Sequence, residues 1–193
     1  MRLVWPAAEH LPGHADALAR GWSPDTVRPE AAQEEPAAIG RDPQVFLAKQ
    51  VDREAAGGPV RLPDGSAVPR LPGWRQWMWD GQGFCGAIGF RWQRRDGRVT
   101  EDLPPHVLGH IGYSVVPWRR REGHATAALA QLLPLAHAEG LRWVWITTDP
   151  GNLASQRVIE ANGGVLHEHF TKPPAFGGGP GLRYRIDLTG DRA

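Results

Sequence analysis

The chain has 193 residues and a formal net charge of +1 at pH 7, with nine tryptophans and one cysteine, Cys85. That length suits a single domain with its own core, the near-neutral charge gives no footprint for nucleic acid, and a lone cysteine excludes an intrachain disulfide. No run approaches membrane-spanning length and the N-terminus has no apolar signal core, so the expectation is a cytoplasmic protein without a membrane partner.

In chain order, Arg2 to Pro6 reads as a first strand, and Ala7 to Arg20 as a helix started or broken by Pro12 and Gly13. Trp22 to Arg41 has weak periodicity and reads as loop or irregular helix. Asp42-Pro43 is an N-cap followed by a first-turn proline, predicting a helix to about Arg53. The Pro- and Gly-rich span Ala55 to Gly73 is a connector. Trp74 to Trp79 and Phe84 to Trp92 form a hairpin about Asp80-Gly81-Gln82-Gly83, and Arg94 to Gly97 makes another turn.

Ile111, Tyr113 and Val115 then alternate with small or polar residues as a strand, ended by Pro117 and Trp118. From Gly123 the period changes, because Ala125, Ala128, Leu129, Leu132, Leu133 and Ala136 fall on one helix face, with Gly140 as its stop and Pro134 on the opposite side. The strand therefore runs through an arginine-rich turn directly into a helix, whose free amides and dipole suit an anion. Trp143 to Thr147 is a buried-type strand, Asn152 caps a second helix that stops at Asn162-Gly163-Gly164, and Val165 to Phe170 and Leu182 to Leu188 are further strands. This order predicts one α/β (α+β) domain over residues 1–193, with a helical and loop part at 1–73 and a core unit at 109–170.

Arg120-x-x-Gly123-x-Ala125 at a strand-to-helix turn, followed by a strand, Asn152-x-x-Ser155, a helix and Gly163, resembles the GNAT superfamily of N-acetyltransferases. Its motif is Q/R-x-x-G-x-G/A, and all three positions match. The likeness covers residues 109–168, roughly a third of the chain. It implies a mixed, mostly antiparallel twisted sheet flanked by helices, in which the strands ending near Val116 and Trp145 splay apart. It further implies acetyl-CoA as co-substrate, with its pyrophosphate on the turn formed by Arg120, Arg121, Glu122, Gly123, His124, Ala125 and Thr126. The pantetheine arm would lie along Val115 and Val116, with Asn152 and Ser155 touching it from the second helix, and an amide near Val115 polarising the thioester. The acceptor would be a small-molecule amine or a peptide or protein amine, with no nucleic acid involved. The reading is compatible with a homodimer.

Direct transfer to an amine in a ternary complex needs a group that takes the ammonium proton. His110, on the strand leading to the gap, is the first candidate, with Glu101 and Asp102 as alternatives. Ile159 stands where the family often carries a tyrosine acid, which motivates a second reading: a non-catalytic acyl-CoA-binding or regulatory module on the same fold. Of the three arginines, Arg120 matches the motif, while Arg119 and Arg121 are either phosphate ligands or solvated. His124 reads as exposed, Tyr113 and Tyr184 as packed in strands, and Trp74, Trp77 and Trp79 as core or pocket wall. His167 and His169 share one strand face without a third ligand, so no metal is expected. Cys85 has no partner that would make it a nucleophile.

Overall fold

The computed structural model describes residues 1–25, 31–62 and 64–188. In order, the elements are β1 (Arg2–Val4), α1 (Leu11–Ala19), α2 (Ala31–Arg41), α3 (Pro43–Ala48), β2 (Val51–Asp52), β3 (Val60–Arg61), β4 (Ala67–Val68), β5 (Gly73–Trp79) and β6 (Phe84–Arg91). They continue with β7 (Gln93–Arg95), β8 (Arg98–Thr100), β9 (Ile111–Val115), α4 (His124–Ala138), β10 (Trp143–Thr148), α5 (Leu153–Glu160), β11 (Val165–Thr171) and β12 (Pro180–Asp187). No helix among the described residues is long and apolar enough to cross a membrane.

Two antiparallel sheets carry the fold. One runs β1-β5-β6-β9 with β2 beside β5, and the other runs β10-β12-β11. Alternation along the strands sets which face each residue buries. Trp74, Met78, Ile88, Phe90 and Ile111 face α4, whose Ala128, Leu129, Leu132 and Ala136 are wholly enclosed. Trp77 and Ala87 face the other way, against Ala17 and Leu18 of α1 and Phe46 of α3. Pro134 lies on the solvent side of α4, so the helix keeps its apolar face unbroken.

Differences from the sequence reading are local. Asp42 caps α3 through the Gln44 and Val45 amides as expected, but the helix ends at Ala48 because Val51 and Asp52 pair with Trp74 and Gly73. Ala31–Arg41 is a helix despite Pro36. The rest of the span Trp22–Arg41, read as loop or irregular helix, includes 26–30, which lie outside the described residues. The connector holds a small hairpin, Val60 opposite Val68 and Arg61 opposite Ala67.

Candidate active site

The β9–α4 turn is built from backbone. Val116 is buried, Pro117–Arg119 makes one tight helical turn, and Arg121 and Gly123 both take left-handed conformations, with φ of 66° and 77°. At Gly123 a Cβ would meet open space, so glycine is there for its torsion. Gly123 caps α4 with no side chain, and the first bonded helical amide is that of Ala127, to the Gly123 carbonyl at 3.0 Å. Among the described residues no group of the chain accepts from the amides of residues 121–126. A left-handed non-glycine residue costs about 1–2 kcal/mol, and Arg121 takes that conformation beside the unbonded amides of a positive helix end.

The side chains around the turn divide sharply. Arg119 donates to Asp80 and, at 2.9 Å, to Glu122, so it ties the turn to the β5–β6 hairpin and is not free to bind an anion. Asp80 also accepts from the Gln82 and Gly83 amides at 2.8 Å. Burial pushes its carboxyl up, but the Arg119 and amide hydrogen bonds outweigh this and hold it well below the usual carboxylate range. Glu122 shares its carboxylate between Arg119 and His124, leaving its amide as its outward group. His124 is buried, contrary to the exposed position expected from sequence, because its ring turns in toward Glu122. Arg120 reaches back to the Val115 carbonyl at 3.3 Å, while Arg121 stays exposed beside Ala125 and Thr126.

Between β9 and β10 the two sheets part. The Arg91 amide donates to His110, and the Val116 amide to Cys85, each across the β6–β9 ladder. Even-numbered β9 residues therefore spend their backbone groups on β6, and the amides of Ile111, Tyr113 and Val115 face the gap. Val116 was expected to offer backbone groups to a ligand; its amide is already bonded. At the closed end, the His110 amide donates to the Trp145 carbonyl at 2.8 Å and the Trp145 amide donates to His110 Nδ1 at 2.9 Å. Gly109 lets the chains touch there, since a Cβ would lie 2.9 Å from the Trp145 carbonyl oxygen.

His110 is thus a joint and not an exposed base. Its ring is fully buried, Nδ1 is occupied by the Trp145 amide, and Nε2 is enclosed without a partner. Burial, with Arg91 nearby, pulls its pKa down from 6.5 to about 4. Glu101 and Asp102 lie elsewhere. Glu101 accepts from the Arg142 amide and side chain at the start of β10, and Asp102 sits 3.6 Å from Arg95, exposed. Burial raises the Glu101 carboxyl, but its bonds to Arg142 prevail and lower it.

Across the gap, Tyr113 Oη meets Ser155 Oγ at 2.8 Å. Burial pushes the tyrosine pKa up to about 12, against the opposing hydrogen bond from Ser155. Asn152 uses its Oδ1 to accept the Ser155 amide at 3.1 Å, acting as the N-cap of α5. Ile159 is fully buried in the core.

On the face of β5, β6 and β9 away from α4 lies a cavity of about 440 Å³. Its floor is the cross-strand pair Gly89 and Gly112, which offers no side chain. Segment 22–25 hangs over it, fixed by Trp22 Nε1 donating to Ser114 Oγ at 2.9 Å and Ser114 Oγ donating to the Ser23 carbonyl. Glu35 of α2 enters from one side, accepting from Arg75 at 2.6 Å and meeting His14 Nε2 at 2.8 Å. Burial pulls the His14 pKa below its ordinary 6.5, against the opposing bond to Glu35; burial also opposes ionisation of Glu35, but the bonds from His14 and Arg75 hold that carboxyl below its usual range. Arg91 and His106 line the same cavity, His106 with a buried, unpartnered Nε2. Sequence reading found none of Glu35, Arg75, Arg91 and His106, because each comes from a different segment with no local motif.

The His167 ring lies tilted against Trp145, with centroids 4.9 Å apart, and Glu168 pairs with Arg183. Among the described residues, Asp80, Cys85 and His124 do bring one ligand atom each within 4.8 Å, but Arg119 already neutralises Asp80. Burial raises the Cys85 thiol pKa, in keeping with an inert side chain.

A family profile described as an acetyltransferase (GNAT) domain matches residues 14–165. No curated protein matches the sequence. Among solved structures, the chain is similar to the microcin C7 self-immunity acetyltransferase MccE, crystallised with acetyl-CoA and AMP. The identity is 12%, over 96% of this chain and 91% of that one, with a TM-score of 0.60. It is also similar to RimL, a ribosomal L7/L12 alpha-N-protein acetyltransferase crystallised with coenzyme A, at 14% identity over 96% and 92% with a TM-score of 0.62.

Proposed function

The chain belongs to the GNAT acetyltransferase family, and on that premise we propose that it moves an acetyl group from acetyl-CoA to an amine held in the Gly89–Gly112 trough. One observation carries the reading: an uncapped helix end with unbonded amides lies at the open end of a gap between two sheets, and the trough adjoins that gap. The amides of residues 121–126 would hold the diphosphate, with Arg120 and Arg121 at its rim. The gap-facing amides of Tyr113 and Val115 would hold the pantetheine arm in strand-like fashion. Acetyl-CoA, when bound, supplies the thioester that the amine attacks.

The chain's own groups then divide the work. The Tyr113–Ser155 hydroxyl pair keeps a proton at the gap, since a phenol with a pKa of about 12 stays protonated at neutral pH. His106, which lines the trough and whose Nε2 has no protein partner among the described residues, takes the proton from the acceptor ammonium. His110 positions β9 against β10 and holds the gap at a fixed width. This assigns His110, Glu101 and Asp102 no proton transfer.

Calorimetry with acetyl-CoA, run alongside thiol release over a panel of amines, tests the proposal. Binding together with release for at least one amine is the expected result. Binding without release for any amine would favour the non-catalytic module that Ile159 first suggested, and absence of binding would remove the whole reading.

A further inference from the structure

The trough carries an unbalanced charge. Lys49, Arg61, Arg70, Arg75 and Arg91 line it, against Asp25, Glu35 and Asp52. Most of these are already engaged. Arg75 bonds Glu35, Arg70 pairs with Asp52 at 3.7 Å and donates to the Gly58 carbonyl, and Arg61 reaches the Gly65 carbonyl. Asp52 further accepts the Ala56 and Gly57 amides. Among the described residues, no hydrogen bond or ion pair engages the Arg91 guanidinium, although Asp25 attracts it and Arg75 repels it at longer range.

Its place is as telling as its lack of a partner. Arg91 ends β6, and its Nη2 lies 3.8 Å from where a Cβ on Gly112 would stand. The guanidinium therefore overhangs the side-chain-free floor, two residues along β9 from the His110 joint where the gap begins. A planar fork of donors over an open floor recognises a carboxylate or phosphate by paired hydrogen bonds.

Resting on the transferase reading, we infer that the acceptor is a small amine carrying an anionic oxygen group, read by Arg91. Its amine points to the gap and its carboxylate or phosphate lies over Gly112. Lys49, on the trough wall, adds to the positive field.

The test uses matched pairs: alanine against alaninamide, glutamate against glutaminamide, and O-phosphoethanolamine against ethanolamine. Each is titrated into coenzyme-A-saturated protein by calorimetry and assayed with acetyl-CoA. For at least one pair the anionic member should bind roughly tenfold or more tightly, with the same ratio in kcat/KM, as expected of a charge-assisted bond. The amino-acid and phosphate arms tell which anion is preferred. Arg91→Gln should erase the ratio through KM while leaving acetyl-CoA affinity unchanged, and Arg91→Lys should restore part of it. Equal binding within every pair, no binding of any anionic probe, or a ratio that survives Arg91→Gln would overturn the inference. Failure of wild-type protein to bind acetyl-CoA would sink the transferase reading instead.

Discussion

Replacing His110 with alanine separates a joint from a base. Among the described residues, the change removes the acceptor of the part-buried Trp145 amide, and stranding such a group costs about 1–3 kcal/mol. The lost imidazole leaves a cavity worth roughly 1–2 kcal/mol more. The sum, about 2–5 kcal/mol, should lower the melting temperature by roughly 5–15 °C at pH 7.5 for a domain of this size. The pH dependence gives the sharper test. Because the folded-state pKa lies near 4 and the ordinary value is 6.5, the unfolded chain binds the proton first as pH falls. The stability His110 contributes is whole above pH 6.5 and declines by up to about 3 kcal/mol as pH drops toward 4. Urea denaturation of wild type and His110→Ala at pH 7.5 and 4.5 measures this, since titrations common to both chains cancel in the difference. The gap between them should narrow at pH 4.5. His110→Asn, whose side-chain carbonyl can accept the amide, should recover part of the loss. A gap that stays constant with pH would refute the buried neutral joint. So would a kcat/KM profile whose acid limb vanishes in His110→Ala, which would make His110 the base.

Gly123→Glu should weaken acetyl-CoA binding roughly a hundredfold, from ~1 kcal/mol of left-handed strain plus ~1–2 kcal/mol of charge at a helix N-terminus; calorimetry reads it, and retained affinity would remove the phosphate-turn assignment. Tyr113→Phe should lower kcat about 10- to 100-fold with little change in KM for acetyl-CoA, and adding Ser155→Ala should cost little more, because the two hydroxyls act as one donor. Gly112→Val should raise KM for the amine about tenfold by overfilling the trough floor, while acetyl-CoA titrations stay unchanged. Glu35→Ala should cost about 3 kcal/mol by stranding Arg75 and His14; since the Glu35 carboxyl titrates below its ordinary 4.5, the wild-type advantage should be full above that pH and fade as pH falls beneath it.

What the sequence revealed follows from what each feature is made of. The β9–α4 turn was legible because backbone does the work there: Gly123 needs its torsion, and small residues follow it in a fixed local order. The β5–β6 hairpin was legible for the same reason, with Asp80 folding back on the Gln82 and Gly83 amides. Helix α2 was legible only as loop or irregular helix because Pro36 and Gly40 are unfavourable in a helix interior, and contact with the rest of the fold overrides them. The roles of charged side chains were the least legible. Arg119 read equally as a phosphate ligand or a solvated side chain, whereas Asp80, 39 positions away, holds it. Glu35, Arg75, Arg91 and His106 meet only in three dimensions, and no spacing along the chain announces them.

The paired hydrogen bonds between Trp145 and His110 pin the two sheets together at one end of the slot, with α4 packed against both. On the transferase reading, the width of the slot, and with it the bulk of acyl chain it admits, is set from a contact that the acyl chain never touches. Changes in donor preference can then arise beneath the surface, in the packing behind that imidazole, with the diphosphate cradle left as it is.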